Sequence, residues 1–325
     1  MRRIVWLYLA LAASAWLLSA CTTSSGGASK ATFNGVTALD AASGTADLSV
    51  SALDGQGNVV STGTLSDVSA TVTSVADSGG PIATSYSATA MICGQITGSS
   101  GDITGILTLD ATGSMSFSDP TKLRADAAKG FVARMASTDR AAVASFDTST
   151  SPTSGYLAIY LHQALTSDKT LLDNAIDAAT YDGGTTNLWD AGVDSANYLA
   201  AVTGSNKMAL LLTDGADNAS SSTPANVVSA AQSAGVKVYT VGLGSYVDAQ
   251  DLIDIASQTG GTYTQVQDAT DLSALFDSIF NATQAAGCIQ VKFSPVPASG
   301  HIIKGRLTFK LDGQLLTADY VVHFP

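Results

Sequence analysis

Cations, histidines and cysteines are all scarce in this chain, and each shortage closes off a class of function. Lysine and arginine number 15 against 27 acidic residues, leaving a net charge of −12. Neutralising phosphates requires clustered Lys and Arg, so nucleic acid is excluded as a partner. An acidic surface also does not dock electrostatically on anionic lipid. The three histidines, His162, His301 and His323, show neither HExxH nor paired spacing, which removes the usual zinc site. No Gly-x-Ser-x-Gly elbow is present and no cysteine sits in a reactive context, so the expectation is a protein that is not an enzyme. Charged residues are only 13% of the chain, whereas hydrophobic residues are 46%, enough for a real core. At 325 residues there is room for about two domains.

The N-terminus reads as a targeting segment. Arg2 and Arg3 precede an apolar stretch from Ile4 to Leu18, short for a membrane span, and Leu18-Ser19-Ala20-Cys21 follows. That tetrad resembles the lipobox of bacterial lipoproteins. The resemblance implies a signal peptide over 1–20, lipidation of Cys21 by palmitate-type chains, and attachment to the membrane through that anchor only. Thr22, rather than an aspartate, follows the cysteine; in enteric-type bacteria this points to the outer membrane, on its periplasmic side or at the cell surface. Residues 21–32 read as a flexible tether. With Cys21 lipidated, Cys93 and Cys288 remain, and two thiols in an exported protein are expected to form a disulfide.

Three textures follow along the chain. Residues 33–101 carry short Val/Thr/Leu/Ser runs punctuated by Asp54-Gly55 and Gly57-Asn58, the chemistry of strands and hairpins. Residues 102–286 alternate strands with amphipathic helices. Asp119-Pro120 signals a helix start, and Leu123, Ala127, Phe131 and Met135 then recur on one face. "AAVASF" and "YLAIYL" read as strands, while "KMALLLTD" and "VKVYTVGLG" are apolar enough to be covered on both sides. Residues 287–325 return to strands. Alternating β and α implies an open, doubly wound, mainly parallel Rossmann-like sheet. The flanks are each too small to close alone. The expectation is that 33–101 and 287–325 complete one β-sandwich, with the α/β domain inserted between them and Cys93–Cys288 stapling the stem.

Ligand sites in such sheets lie beyond the carboxyl ends of the strands. Asp110 ends the first strand of the middle zone, in "LTLDATGSMS", and Asp214 ends "MALLLT". A third loop, "GGTTNLWDA", delivers threonine hydroxyls just before a helix. Hydroxyls and carboxylates together form an oxygen-only donor set, which suits a hard divalent cation. These three loops resemble the metal-ion-dependent adhesion site (MIDAS) of von Willebrand factor type A (VWA) domains, whose pattern is Asp-x-Ser-x-Ser, a threonine and an aspartate. Carried over, the resemblance implies metal ligands at Asp110, Thr112, Ser114, Thr186 and Asp214. Thr112 stands where the family has serine, and Thr185 competes with Thr186, which the position of Leu188 favours. "DRAAVASFD", "IASQTGGTY" and "DLSALFDSIF" extend the likeness across the zone.

The resemblance implies Mg²⁺ as the ion, with Mn²⁺ or Ca²⁺ as substitutes, and one coordination position left for a partner's acidic side chain. The expected function is adhesion-like binding of a protein or extracellular-matrix ligand by a lipid-anchored cell-envelope protein. The alternative is a structural scaffold or assembly factor in an envelope complex, with the metal secondary. Trp189 is expected in the core, His162 at a strand or sheet edge, and Asp217 and Asn218 as residues that merely solvate their loop.

Overall fold

The computed structural model describes residues 27–77 and 79–325. The expected signal peptide, Cys21 and most of the expected tether lie outside the described residues. Among the described residues no helix is long and apolar enough to cross a membrane.

The N-terminal flank contributes β1 (Lys30–Asp40), β2 (Thr45–Leu53), β3 (Thr62–Gly63), β4 (Leu65–Asp77), β5 (Gly80–Pro81) and β6 (Ser87–Gly98). The middle zone runs β7 (Ile103–Asp110), α1 (Met115–Ser118), α2 (Leu123–Arg134), β8 (Arg140–Phe146), β9 (Ile159–Thr166), α3 (Lys169–Ala179) and α4 (Leu188–Ala200). It continues through β10 (Asn206–Thr213), α5 (Pro224–Ala234), β11 (Lys237–Leu243), α6 (Ala249–Thr259), β12 (Tyr263–Val266) and α7 (Leu272–Gln284). The chain closes with β13 (Ala285–Ser294), β14 (Ile302–Leu311) and β15 (Gln314–His323).

Strands β7, β8, β10, β11 and β12 are parallel, in the order β12-β11-β10-β7-β8, and β9 adds an antiparallel edge. Every residue of β7 is buried, because helices cover both faces. Leu107, Leu109, Leu210, Leu212 and Val241 pack with Phe131, Phe276 and Ile279 on one side. Ile106, Leu211 and Val238 pack with Leu188, Val227 and Ile255 on the other. Local chemistry sets the helix ends. Asp168 caps α3 by accepting the N–H groups of Thr170 and Leu171, Pro224 opens α5, and Gly260 ends α6 in the left-handed conformation.

The two flanks do pack as a sandwich, in which Leu48, Val50, Ile289 and Phe293 of one sheet face Ile303, Leu307 and Phe309 of the other. They do not form a separate body, however. The strand order β3-β6-β13-β2-β1-β12-β11-β10-β7-β8-β9 is one continuous eleven-stranded sheet, and β15-β14-β4-β5 forms the second layer. The fusion occurs where β1 meets β12 antiparallel, with Val36 opposite Tyr263. Gly35 makes this possible: its φ is +133°, and a Cβ there would lie 2.6 Å from the Tyr263 carbonyl oxygen. The Asn34 carbonyl accepts the hydroxyls of Thr262 and Thr264 at 3.3 and 3.2 Å, closing the seam. The strand-and-turn texture of the flanks could not disclose this pairing, because it depends on one non-local contact.

Three local expectations need correction. Residues 30–32 are strand rather than tether, since Lys30 already pairs with Leu53. The α2 helix begins at Leu123, not Pro120; Asp119 reaches across the turn to accept the N–H groups of Leu123 and Arg124 at 2.7 and 3.1 Å. The edge strand is Ile159–Thr166, displaced toward the C-terminus from "YLAIYL", because Asp194 gathers the N–H groups of Leu157, Ala158 and Ile159 into the preceding turn. Cys93 on β6 and Cys288 on β13 are joined by a disulfide with Cα atoms 5.0 Å apart, linking neighbouring strands of the sheet.

Candidate metal centre

Strand β7 has β8 on one side and β10 on the other, so the chain reverses its direction of winding between β7 and β10. Crevices open beyond the strand ends at such a point. Asp110 closes β7 and Asp214 immediately follows β10, so two aspartates 104 residues apart meet, the Asp214 backbone N–H donating to the Asp110 carboxylate.

Asp110 is fully buried. Its Oδ1 accepts the N–H of Thr112 at 2.8 Å, and its Oδ2 accepts the Thr213 hydroxyl at 2.8 Å and the Asp214 N–H at 3.4 Å. The hydroxyls of Thr112 and Ser114 are 3.0 Å apart, and Ser114 Oγ donates to Asp214 Oδ1 at 2.6 Å. Ser118, on α1, donates to the other Asp214 oxygen. Four of the five predicted oxygen donors are thus in one hydrogen-bonded cluster.

Thr186 enters from the second loop. Its N–H donates to Asn218 Oδ1 at 2.9 Å, and its carbonyl accepts the N–H groups of Asn218 and Ala219 at 2.9 and 3.0 Å. These bonds fasten the second loop to the third. A Cβ built on Gly215 would lie 3.9 Å from Thr186 Oγ1, so the hydroxyl faces the residue after Asp214. Thr185 points elsewhere: its hydroxyl meets Thr148 Oγ1 at 2.9 Å and the residue is exposed. Geometry therefore separates the two threonines that spacing left in competition.

The second loop is also pinned to the first, with Gly183 N–H bonded to the Ala111 carbonyl at 2.8 Å and Gly113 N–H to the Gly184 carbonyl at 3.2 Å. Gly184 has φ +66°, and a Cβ there would come within 2.6 Å of Ser149 N. Behind it Asp147 accepts Ser149 and Thr150 N–H groups and the Tyr181 hydroxyl. Arg124, fully buried, clamps Asp119 at 2.9 Å and Asp182 at 2.8 Å, tying the first loop to the second once more.

Several contributors escaped the sequence reading. Ser118 lies two residues beyond "LTLDATGSMS", and Thr213 and Asp147 sit inside quoted strand motifs without any pattern that marks them as contributors. Asp217 and Asn218 are not simply solvating their loop: Asn218 holds Thr186, and Asp217 accepts the N–H of Trp189 at 3.2 Å and the hydroxyl of Ser220 at 2.5 Å. The reason is that the exposed turn after Asp214 folds back onto the N-terminus of α4, whose unpaired N–H groups need acceptors. Trp189 is buried in the core, and His162 lies on the edge strand β9 with Nε2 2.8 Å from Ser145 Oγ.

Burial, with the charge of Asp214 second, pushes Asp110 up to about 6 from the ordinary 3.8. Neither Asp110 nor Asp214 is in an ion pair among the described residues. Two carboxylates held together, ringed by hydroxyls and lacking a cationic side chain, fit a hard divalent ion by donor type and by charge.

The family profile described as von Willebrand factor type A domain matches residues 106–278. No curated protein matches. Among solved structures, proximal thread matrix protein 1 from the mussel byssus is 20% identical over 60% of this chain and 49% of its own, with a TM-score of 0.49. The present chain thus spans about half the length of that protein, which has also been solved with a zinc-occupied MIDAS motif at 21% identity and a TM-score of 0.47, over the same 60% and 49%. A von Willebrand factor type A protein from Catenulispora acidiphila is 16% identical over 81% of this chain and 74% of its own, with a TM-score of 0.47. The profile covers more than half of the sequence, and the chain belongs to the von Willebrand factor type A domain family.

Proposed function

We propose that this chain is a lipid-anchored cell-envelope protein that binds a protein or matrix partner through a divalent cation held at a MIDAS-type site. The observation that carries this reading is the hydrogen-bonded cluster of Asp110, Thr112, Ser114 and Asp214 at the switch point of the sheet, with the Thr186 hydroxyl facing Gly215 beside it, on three loops hydrogen-bonded to one another. Thr112, Ser114 and Thr186 would offer neutral oxygens, and Asp110 and Asp214 would offer charged ones. Mg²⁺ is the ion we assign, with Mn²⁺ or Ca²⁺ as substitutes; bound there, it would supply an electrophilic centre able to take a carboxylate oxygen from the partner. The chain's own residues do the positioning. Ser118 holds Asp214, Asn218 holds Thr186, and the Arg124 clamp keeps the first two loops in register. Binding rather than catalysis fits this arrangement, because both carboxylates are committed to the site.

The anchor reading rests on the Leu18-Ser19-Ala20-Cys21 tetrad, and outer-membrane placement on Thr22. A radiolabelled fatty acid should enter the wild-type chain and not Cys21→Ser. The binding reading is tested by affinity capture with the lipid-free protein in Mg²⁺ and again in EDTA, alongside calorimetric titration with Mg²⁺ and Mn²⁺. Metal uptake with partner capture lost on chelation is the expected result. Capture that persists in EDTA would shift the assignment to a scaffold or assembly role, for which the sheet shared between the sandwich and the VWA domain supplies a rigid frame.

A further inference from the structure

The two most exposed large apolar side chains among the described residues are Phe117, at 88%, and Tyr246, at 84%. Single exposed apolar residues are ordinary, but these two share a setting. Phe117 lies on α1, directly after β7, and its neighbour Ser118 is bonded to Asp214. Tyr246 lies in the loop leaving β11. Strands β7, β10 and β11 are consecutive in the sheet and parallel, so their following loops share one rim. Asp214 follows the central strand of the three, β10; Phe117 lies on the β7 loop that also carries Thr112 and Ser114, and Tyr246 on the loop of the strand at the other side of β10. Phe117 is held rather than loose, since its N–H donates to the Ser114 carbonyl at 2.8 Å.

The charge on this rim is one-sided. Its loops (residues 111–122, 147–158, 180–187, 214–223, 244–248 and 267–271) contain one basic residue, Lys122, among many aspartates. Asp182, Asp248, Asp268 and Asp271 are exposed and Asp217 is half-buried. The buried Arg124 is already shared between Asp119 and Asp182. Beside Tyr246 a cleft of about 430 Å³ runs between Ala216 and Val247 on the rim and His301 and Phe324 on the sandwich; Asp248 lines it, and no lysine or arginine does. A partner that is acidic throughout would be repelled everywhere except at the ion.

We propose that this rim recognises a basic polypeptide segment carrying one accessible carboxylate, whose flanking arginine or lysine side chains pack on Phe117 and Tyr246 among the rim aspartates. The inference rests on the metal-centre reading above and adds the class of partner. Cations are attracted to aromatic faces, arginine most of all, and the surrounding carboxylates add a salt-sensitive pull. Rigid aromatic side chains also lose little freedom when they are covered.

The test uses two short Gly/Ser peptides with a central aspartate, one flanked by arginines and one by glutamines, titrated against the lipid-free protein in Mg²⁺ by fluorescence polarisation. The arginine peptide is expected to bind about tenfold tighter at low salt, with the advantage shrinking as salt rises. The double variant Phe117→Ala/Tyr246→Ala should lose most of that advantage while still taking up Mg²⁺ by calorimetry. Equal affinity for the two peptides, or an arginine preference that survives the double substitution, overturns the inference while leaving the metal centre standing. Absence of Mg²⁺ uptake by the wild-type protein overturns the metal reading and this inference together.

Discussion

Replacing Asp110 with asparagine should raise the stability of the metal-free protein and abolish its response to metal. Asp110 is fully buried, and burial together with Asp214 displaces it from 3.8 to about 6. At about 1.4 kcal/mol per pH unit, ionising it inside the fold costs roughly 3 kcal/mol at neutral pH. The sign follows from proton binding. The folded metal-free chain holds this proton more tightly than the unfolded chain, so its stability falls as pH rises from 3.8 to about 6 and is flat above. Asparagine removes the charge, but its amide nitrogen cannot accept the Thr213 hydroxyl or the Asp214 N–H as Oδ2 does. Allowing about 1 kcal/mol for those bonds leaves a gain of about 2 kcal/mol, or about 4–8 °C in Tm for a domain of this size. Wild type, unlike the variant, should respond to metal, gaining about 2.7 kcal/mol when Mg²⁺ stands at about 100 times its Kd. Differential scanning calorimetry in EDTA and in Mg²⁺ reads both effects. An Asp110→Asn protein that melts below wild type in EDTA, or a wild type whose Tm ignores Mg²⁺ and Mn²⁺, would refute the argument that a cation relieves this carboxylate pair.

Three further outcomes are expected. Thr186→Ala should weaken Mg²⁺ uptake by about tenfold or more in calorimetry while Thr185→Ala leaves it unchanged, since only Thr186 faces the Asp214 loop. Arg124→Met should cost about 3–5 kcal/mol in urea unfolding, because Asp119 is left buried without its cation. Burial, with Lys304 second, holds His323 down to about 4 against the ordinary 6.5, so the unfolded chain takes up this proton first as pH falls. The contribution of His323 should therefore drop by up to about 3 kcal/mol between pH 6.5 and 4, opposite in sign to that of Asp110, and His323→Gln should raise Tm at pH 4 relative to pH 6.5 by removing it.

Much of the centre was legible because its donors lie in short local patterns. Asp110, Thr112 and Ser114 are alternate residues on one loop, and Asp214 ends a strand whose apolar run is unmistakable. What spacing could not decide, contacts did. Thr186 is separated from Thr185 by the Asn218 and Thr148 hydrogen bonds, which join loops far apart in the chain. Asp217 and Asn218 looked like solvated turn residues because nothing in "GADN" announces that the turn folds back on α4. Pro120 looked like the first helical residue because Asp-Pro carries that signal locally; the Asp119 carboxylate instead bridges to Leu123, and Arg124 completes the turn.

By itself the sequence determined the local patterns: fully apolar strands that must be covered on both faces, helices with one apolar stripe, flanks of short strand runs punctuated by turns, and the oxygen-rich ends of β7 and β10. These are local properties, read from what neighbouring side chains can bury or expose. The tertiary structure alone decided that the sandwich and the VWA domain share one sheet, that the strands leading to Phe117 and Tyr246 lie on either side of β10, and which threonine faces the Asp214 loop. Each depends on which distant strands pair, a choice made by the packing of the whole chain through such contacts as Gly35 against Tyr263, where the lack of a single Cβ lets two edges join.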